Sequence, residues 1–220
     1  MTPGVPASPV PGSPDDADSA RVAAFDVDGT LTTRDCVVPF LRRIAGTAGL
    51  TTGMGRHPMS LGRAMVGRDR DTLKSLAAAA AFAGRSQHEV EAEGLDFSRE
   101  VAARSLRSDT VGALRAHQDA GDTIVLVSAS FEIYLCPLAA ELGIEHVLGA
   151  RLASVDGVLT GELDGDNCRG AEKVRRLHQW LDERSGGRAC VELVAYGDSA
   201  GDRELLADAD VAHWVGSYRP

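Results

Sequence analysis

The sequence predicts an α/β fold, in which a doubly wound, Rossmann-like parallel sheet carries an inserted helical segment. Short apolar runs recur along the chain as continuous stretches, which is typical of strands buried on both faces of a sheet. Stretches with helical periodicity separate most of these runs, as expected for alternating strands and helices. One long interval after the first run has helix signals and no convincing strand, which predicts the insertion.

Five apolar runs are the predicted strands, and three of them end near polar residues. In chain order the predicted strands cover residues 22–25, 123–127, 146–152, 191–195 and 211–215. The first ends at Asp26, the second at Ser128 and the fourth close to Asp198. Because parallel strands bind ligands in the crevice outside their carboxyl ends, we expect these polar groups to meet there.

Three helices are predicted between these strands, over residues 108–120, 131–142 and 170–184. Ser108 is expected to cap the first helix and Gly121 to end it. Pro137 is expected to kink or split the second. The Val-Asp-Gly-Val stretch at residues 155–158 predicts the turn of a small hairpin.

The interval of residues 35–107 predicts a helical insertion after the first strand, which we call the cap. Asp71 is expected to cap a helix that ends at Ala83, and a second helix is expected over residues 86–104. Residues 46–57 are rich in glycine and threonine and predict a mobile loop. The predicted domains are a disordered, proline-rich tail over residues 1–19, a core over residues 20–34 and 108–220, and a cap over residues 35–107.

Composition and charge exclude several classes of protein. Apolar residues make up 44% of the chain and charged residues 25%, as in ordinary globular proteins. The formal net charge of −9 argues against a nucleic-acid partner, which normally requires a basic excess. No stretch approaches the roughly 20 apolar residues of a membrane helix. The tail has neither the basic start nor the apolar run of a signal peptide, and four widely spaced cysteines predict reduced thiols in a cytoplasmic protein.

Residues 25–32, Phe-Asp-Val-Asp-Gly-Thr-Leu-Thr, place two carboxylates at the end of the first strand. Asp26 and Asp28 would repel each other there unless a proton or a cation separates them. A hard divalent ion with oxygen ligands resolves this repulsion, and magnesium is the natural choice. Gly29 would let the backbone pass close to the site. The alternative is a polar strand exit with a capping aspartate.

Three further stretches place polar groups near the same crevice. Ser128, followed by Ala129, can bind an anion together with nearby backbone N–H groups, although a helix cap is the alternative. Lys173 lies in the first turn of a predicted helix, where the helix dipole disfavours a cation. A nearby negative charge would explain this position, and the alternative is a solvated surface lysine. Asp198 and Asp202 follow the fourth strand, with two capping acids as the alternative.

The order Asp-x-Asp, Ser, Lys and Asp-x3-Asp resembles the four motifs of the haloacid dehalogenase superfamily of phosphohydrolases, over residues 22 to about 215. The helical insertion after the first motif is similar to that of the phosphoserine phosphatase-like subgroup. The stretches at residues 160–163 and 167–173 also look like that subgroup. This resemblance implies a magnesium-dependent phosphatase that hydrolyses a phosphate monoester through an aspartyl phosphate.

The resemblance also implies a role for each matching residue. Asp26 would be the nucleophile, and Asp28 would be the general acid and later the general base. Ser128 and Lys173 would hold the phosphoryl oxygens, together with the backbone around Gly29. The implied magnesium ligands are Asp26, the backbone carbonyl of Asp28 and Asp198, with Asp202 in support.

The residues of the cap leave the substrate open. Asp35 stands where phosphoserine phosphatases usually carry a glutamate that reads the substrate's amino group, with a helix cap as the alternative. Arg68, Arg70 and Lys74 form a basic cluster that could contact an anionic substrate, with a solvated helix face as the alternative. Gly201 stands where those enzymes usually carry a phosphate-binding asparagine. We therefore expect a small phosphorylated metabolite as the substrate, and no particular oligomeric state.

Two other functions compete with this expectation. The first is hydrolysis of a lipid phosphate such as a phosphatidylglycerophosphate, which ranks lower because the sequence shows no strongly basic amphipathic helix. The second is a non-catalytic phospho-ligand-binding regulatory protein, for which an acid at Asp28 would have no use.

Overall fold

A computed structural model describes residues 20–217. Its strands are β1 (Ala20–Phe25), β2 (Thr123–Phe131), β3 (His146–Ala150), β4 (Leu152–Val155), β5 (Val158–Leu163), β6 (Val191–Gly197) and β7 (Val211–Trp214). Five of them form a parallel sheet in the order β3-β2-β1-β6-β7, so that β1 is central. The carboxyl ends of β1, β2 and β6 therefore lie side by side, as the doubly wound α/β prediction requires.

The helices are α1 (Val37–Gly55), α2 (Pro58–Gly67), α3 (Arg70–Phe82), α4 (Gln87–Arg104), α5 (Ser108–Ala120), α6 (Glu132–Glu141), α7 (Ala171–Ser185) and α8 (Arg203–Asp208). The first four follow β1 and precede α5, which is the position predicted for the helical insertion. β4 and β5 form a separate antiparallel hairpin whose turn lies between Val155 and Val158, as predicted. Among the described residues, no helix is both long and apolar enough to span a membrane.

The two faces of the sheet bury different layers of helices. On one face, alternate residues of β1 and β6 pack with α7 and α8 in a cluster that includes Val22, Ala24, Leu193, Leu177 and Leu205. On the other face, Ala23 and Phe25 pack with α5, α6 and the insertion. This alternation follows from the two-residue period of a strand, which sends successive side chains to opposite faces.

The helical insertion shares its core with the rest of the molecule. The ring of Tyr134 on α6 lies 4.8 Å from that of Phe40 on α1 and 5.3 Å from that of Phe97 on α4, between centroids. Phe82 on α3 approaches Phe131, at the end of β2, to 5.2 Å. These five fully or almost fully buried rings fix the base of the insertion against the sheet layer. The division into a core and a cap remains a prediction.

Residues 46–57 are helical up to Gly55, so the prediction of a mobile loop is wrong. The backbone of α1 breaks at Gly46, where φ is 68°, and the helix then continues. Its second half is held by the buried side chain of Leu50. Gly53 lies so close to α3 that a Cβ atom there would approach the Cβ of Ala80 to 2.5 Å. The glycine that suggested a loop instead permits close packing of two helices, which outweighs its poor helix propensity.

Several predicted boundaries also need correction. Asp69, and not Asp71, caps α3, because its side chain accepts a hydrogen bond from the backbone N–H of Thr72 at 3.0 Å. Ser108 is the first residue of α5 and not its cap. The run at residues 146–152 is two strands, because β3 ends at Ala150 and the chain turns at the exposed Arg151 into β4.

Pro137 lies inside a continuous α6, contrary to the predicted kink or split. Proline offers no N–H to the carbonyl of Ile133, one turn earlier. That carbonyl faces Gly94 of α4, where a Cβ atom would lie only 2.4 Å from its oxygen. The close packing of α4 on α6 holds the helix together at this point. The predicted tail (residues 1–19) and the last three residues of the predicted core lie outside the described residues.

Candidate active site

The polar residues predicted from separate parts of the sequence meet in one cavity of about 800 Å³. β1, β2 and β6 deliver Asp26, Ser128 and Asp198 to the same edge of the sheet. Lys173 enters from the first turn of α7, and Asp202 from the residue before α8. These five residues form the floor of the cavity.

Lys173 is almost completely buried, at 2% exposure, and not a solvated surface lysine. Its Nζ lies 2.6 Å from Oδ1 of Asp26 and 2.6 Å from Oδ1 of Asp202. Burial alone would lower the pKa of Lys173, but these two carboxylates raise it above its usual value. The lysine is therefore charged, and local negative charge explains why it opens a helix against the dipole.

The aspartates outnumber the lysine on this floor. One carboxylate oxygen each from Asp26, Asp198 and Asp202 lies within 4.8 Å of the others. Burial raises the pKa of Asp26 and of Asp198, and repulsion from Asp202 raises both further. Thr30 donates a hydrogen bond to Oδ2 of Asp26 at 3.2 Å and lies 3.5 Å from Oδ1 of Asp198. Hard oxygen donors with surplus negative charge fit a divalent cation.

Gly29 allows this close grouping, as the sequence predicts. Its φ is +83°, and a Cβ atom at this position would lie 2.1 Å from Oδ2 of Asp198. Any larger residue would therefore displace the Asp198 carboxylate or the backbone of the first motif.

Asp202 also organises the loop that carries Asp198. Its Oδ2 accepts hydrogen bonds from the backbone N–H of Ser199 at 3.0 Å and from the Ser199 hydroxyl at 2.8 Å. Although burial would raise the pKa of Asp202, Lys173 lowers it below its usual value. The capping alternative is thus correct for Asp202, which at the same time contacts Lys173.

Asp28 is not one of the three clustered aspartates. Its carboxylate accepts hydrogen bonds from the backbone N–H of Cys36 at 2.9 Å and from the hydroxyl of Ser130 at 2.5 Å. Burial raises the pKa of Asp28 to about 6, against the opposing effect of the Ser130 hydrogen bond. A carboxyl group with this pKa is partly protonated near neutral pH, which suits proton transfer.

Ser130 and Tyr134 are site residues that the sequence interpretation missed. Ser130 lies in β2, and its hydroxyl donates a hydrogen bond to Asp28. The hydroxyl of Tyr134 donates to Ser130 at 2.7 Å. The Ser-Ala-Ser spacing was a signal for this role, because residues two apart in a strand point to the same face.

Of the substrate-contacting residues predicted in the insertion, Asp35 lines the cavity and Arg68 does not. Asp35 lines the cavity, but its carboxylate accepts hydrogen bonds from the backbone N–H groups of Val37 and Val38, at 3.3 and 3.0 Å. The helix-cap alternative therefore describes its contacts. Arg68 is exposed and does not line the cavity, whereas Arg70 does.

Lys74 is half-buried and its ammonium is hydrogen-bonded within the protein, so a solvated helix face is the wrong interpretation for this residue. Its ammonium donates to the backbone carbonyl of Ala129 and, at 2.6 Å, to Oδ1 of Asn167. Asn167 in turn donates to Asp71 at 2.7 Å. Burial lowers the pKa of Lys74 to about 8. Lys74 thus connects α3 to the floor of the cavity, beside Ser128.

Arg169 occupies the space beside Gly201. A Cβ atom at Gly201 would lie 3.1 Å from Nε of Arg169, and the arginine lines the cavity. At Gly201, where the resemblance leads us to expect an asparagine, an arginine therefore packs against the loop instead.

Comparisons with known proteins agree with the motifs. The family of haloacid dehalogenase-like hydrolases matches residues 23–207. Protein CicA of Caulobacter vibrioides is 36% identical over 190 residues, which cover 86% of this chain and 83% of CicA. A phosphoserine phosphatase of Polaromonas sp. is 28% identical over 198 residues, or 87% of this chain and 77% of that enzyme.

A solved structure supports the fold. A Bordetella pertussis protein of unknown function superposes with a TM-score of 0.71 at 28% identity, covering 86% of each chain. The predicted superfamily resemblance is thereby confirmed. The chain belongs to the family of haloacid dehalogenase-like hydrolases and is a phosphatase similar to the phosphoserine phosphatases.

Proposed function

We propose that this protein hydrolyses a phosphate monoester through an aspartyl phosphate formed on Asp26, in a magnesium-dependent reaction. The observation that supports this proposal is the position of the Lys173 ammonium, 2.6 Å from both Asp26 and Asp202 on a buried floor shared with Asp198. A buried carboxylate beside a fixed cation suits attack on a phosphoryl group, whose transfer depends on alignment and charge neutralisation.

The carboxylates of Asp26 and Asp198, with the backbone carbonyl of Asp28, would hold the magnesium ion, and Asp202 would support it. When bound, the ion would neutralise negative charge on the phosphoryl oxygens. The surplus of carboxylate groups over ammonium groups on the floor supports this assignment.

Each residue of the site would have its own role in the reaction. Asp26 attacks phosphorus, while Lys173 and the Ser128 hydroxyl bind the phosphoryl oxygens. Asp28 donates its proton to the leaving alkoxide and later accepts one from the water that hydrolyses the aspartyl phosphate. The hydrogen bonds from Ser130 and from the Cys36 N–H hold the Asp28 carboxyl group in place.

Hydrolysis of a chromogenic aryl phosphate tests this mechanism. Activity should require magnesium, disappear in EDTA and be abolished in Asp26→Asn. Asp28→Asn should lose about 10²–10⁴-fold, the usual contribution of a general acid. Asp96→Asn, an exposed change on α4, is the matched control and should retain full activity. Turnover that persists in EDTA or in Asp26→Asn would contradict the mechanism.

The proposed compartment is the cytoplasm. All four cysteines are free, and two of them, Cys36 and Cys168, are buried. Unpaired thiols are typical of a reducing compartment.

A further inference from the structure

Helix α2 carries large apolar side chains on its solvent-facing side. Met59, Met65 and Val66 are 83%, 64% and 89% exposed. Ala64 is the buried residue of the helix and faces the rest of the insertion. At 3.6 residues per turn, Met59 and Val66 lie on the side opposite Ala64. The exposed side of α2 therefore combines large apolar side chains with Arg63, and so many exposed apolar side chains are unusual for a helix on the surface of a protein.

The same surface is positively charged. Arg56, Arg63, Arg68 and Arg70 are all exposed, and within residues 20–217 none of them forms an ion pair. Residues 56–70 hold four arginines and one aspartate, a net charge of +3, in a chain whose formal charge is −9. We call α2 with these four arginines the α2 surface. Its charge is opposite in sign to that of the whole protein.

The α2 surface adjoins the mouth of the active-site cavity. Met54, four residues before α2, and Arg70, three residues after it, both line the cavity. The wall that the insertion contributes is mainly aliphatic and includes Val37, Leu41, Leu50, Leu73 and Ala77. The cavity therefore changes from a charged floor, where a phosphate would lie, to an apolar wall on the side of α2.

An anionic lipid surface matches both properties of the α2 surface. Apolar side chains on a short helix enter the boundary between headgroups and acyl chains, and flanking arginines bind the lipid phosphates. The sequence does not show a strongly basic amphipathic helix here, because most of the arginines lie outside the ten residues of α2. In addition, only the fold shows which side of the helix is exposed to solvent.

We propose that the α2 surface binds an anionic lipid bilayer, and that the cavity accepts a phosphate monoester whose alcohol carries an apolar chain. This inference rests on the proposed phosphatase function, since it specifies the substrate of the same site. The phosphate would lie on the Lys173 floor, and the chain would pass the aliphatic wall towards the bilayer.

Sedimentation with vesicles tests the docking. The full chain should sediment with equimolar phosphatidylglycerol and phosphatidylcholine, and less with phosphatidylcholine alone or at high salt. The triple variant M59S/M65S/V66S should lose binding about tenfold or more. Arg63→Gln should weaken binding about fivefold, the contribution of one basic residue near an anionic surface. Val155→Ser, at an exposed valine that ends β4, is the matched control and should bind normally.

A pair of substrates tests the cavity. Lysophosphatidic acid and glycerol 3-phosphate share a phosphate monoester and differ in the acyl chain. If four methylene groups are buried against the wall, kcat/KM for the acylated substrate should be about 200-fold higher. Leu73→Asn should reduce this ratio, because it puts a polar amide on the aliphatic wall, whereas Val155→Ser, which lies outside the cavity, should keep the wild-type ratio. Equal rates for the two substrates would overturn the substrate assignment.

Three results would overturn the docking. The first is wild-type protein that stays in solution with anionic vesicles, and the second is a triple variant that binds as well as wild type. The third is a wild-type protein that is a dimer while the triple variant is a monomer, which would make the surface a self-association site. Hydrolysis of the aryl phosphate by every variant shows that each is folded. If the wild type did not hydrolyse the aryl phosphate, the proposed phosphatase function would be rejected, whether or not the protein binds vesicles.

Discussion

At the scale of single residues, Lys173 makes the acidic floor of the cavity compatible with burial. Three aspartates converge there, and the described part of the chain places one ammonium between two of them at 2.6 Å. Burying charges is costly, and a pair is tolerated only where geometry and hydrogen bonds compensate. Removing one partner leaves the remaining buried charges uncompensated. The resulting loss in the free energy of unfolding is larger than the stability that the ion pair itself contributes.

We therefore expect Lys173→Met to lower the free energy of unfolding in EDTA by about 3–5 kcal/mol, besides abolishing activity. Urea denaturation followed by circular dichroism measures this loss. Arg175→Met, two residues along α7 at an exposed position, is the control and should change stability by no more than about 0.5 kcal/mol. Equal stabilities of the two variants would mean that the lysine does not neutralise the floor.

Gly29→Ala tests the close approach to Asp198. The added Cβ would lie 2.1 Å from Oδ2 of Asp198, so the carboxylate must move. We expect a much higher magnesium concentration for half-maximal activity, measured by titration with an aryl phosphate. Gly157→Ala is a matched control, since that glycine also has a positive φ, of +76°, but no atom within 4 Å of the added Cβ. An unchanged magnesium requirement in Gly29→Ala would exclude a role for Asp198 in metal binding.

The individual site residues were predictable to the extent that strand ends could be found. Apolar runs ending in Asp26, Ser128 and Asp198 mark one edge of a parallel sheet, whatever the intervening chain does. The hydrogen bond between Ser130 and Asp28 was not predictable in the same way, because it depends on where β2 ends. The sequence placed that end at Val127, and the strand continues to Phe131.

At the scale of secondary-structure elements, the contact between α4 and α6 anchors the insertion. Gly94 lies against the carbonyl of Ile133, and a Cβ atom there would approach the oxygen to 2.4 Å. Gly94→Ala should therefore push α4 away from α6, and we expect a loss of about 1–3 kcal/mol in the free energy of unfolding.

The matched control for this prediction is Gly112→Ala on α5. No atom lies within 4 Å of an added Cβ at that position, so the better helix propensity of alanine should stabilise the protein by about 0.5–1 kcal/mol. Chemical denaturation of both variants measures the difference. Stabilisation by both substitutions would show that α4 has room to move, contrary to the packing described above.

Elements of the sheet layer were predicted well, and those of the insertion less so. Continuous apolar runs and a stop at Gly121 need no tertiary information. In the insertion, by contrast, the glycines of α1 suggested a loop, although Gly53 serves the contact with Ala80. The partner helix begins at Arg70, so the contact between the two helices forms only when the chain folds and could not be predicted from the sequence around Gly53.

At the scale of the whole molecule, Lys74 connects the insertion to the sheet through Ala129 and Asn167. Burial lowers its pKa to about 8, from an ordinary value of 10.5, and Arg176 adds to this effect. Cys168, Asp28 and Asp71 act in the opposite direction. The charged form of Lys74 is therefore less favourable in the folded protein than in the unfolded chain.

This difference predicts a pH dependence of stability. Between pH 8 and 10.5 the unfolded chain retains a proton that the folded protein has released, so this group makes the folded state more stable as pH rises. Below pH 8 both states are protonated and its contribution is constant. In Lys74→Met, the free energy of unfolding should rise less over this range than in wild type. Arg70→Met should keep the wild-type slope, and identical slopes in all three proteins would contradict the pKa assignment.

The central position of β1 has a consequence for synthesis of the protein. β1 pairs with β6 in the register Arg21–Glu192, and 171 residues separate these two partners in the chain. At typical rates of translation, the ribosome needs roughly 10–30 s to supply that distance. Until then, the most interior strand keeps one unpaired edge, which is prone to aggregation. A nascent chain that stops before β6 would also lack Asp198, the proposed magnesium ligand, so the proposed activity can appear only after residue 198 has been translated.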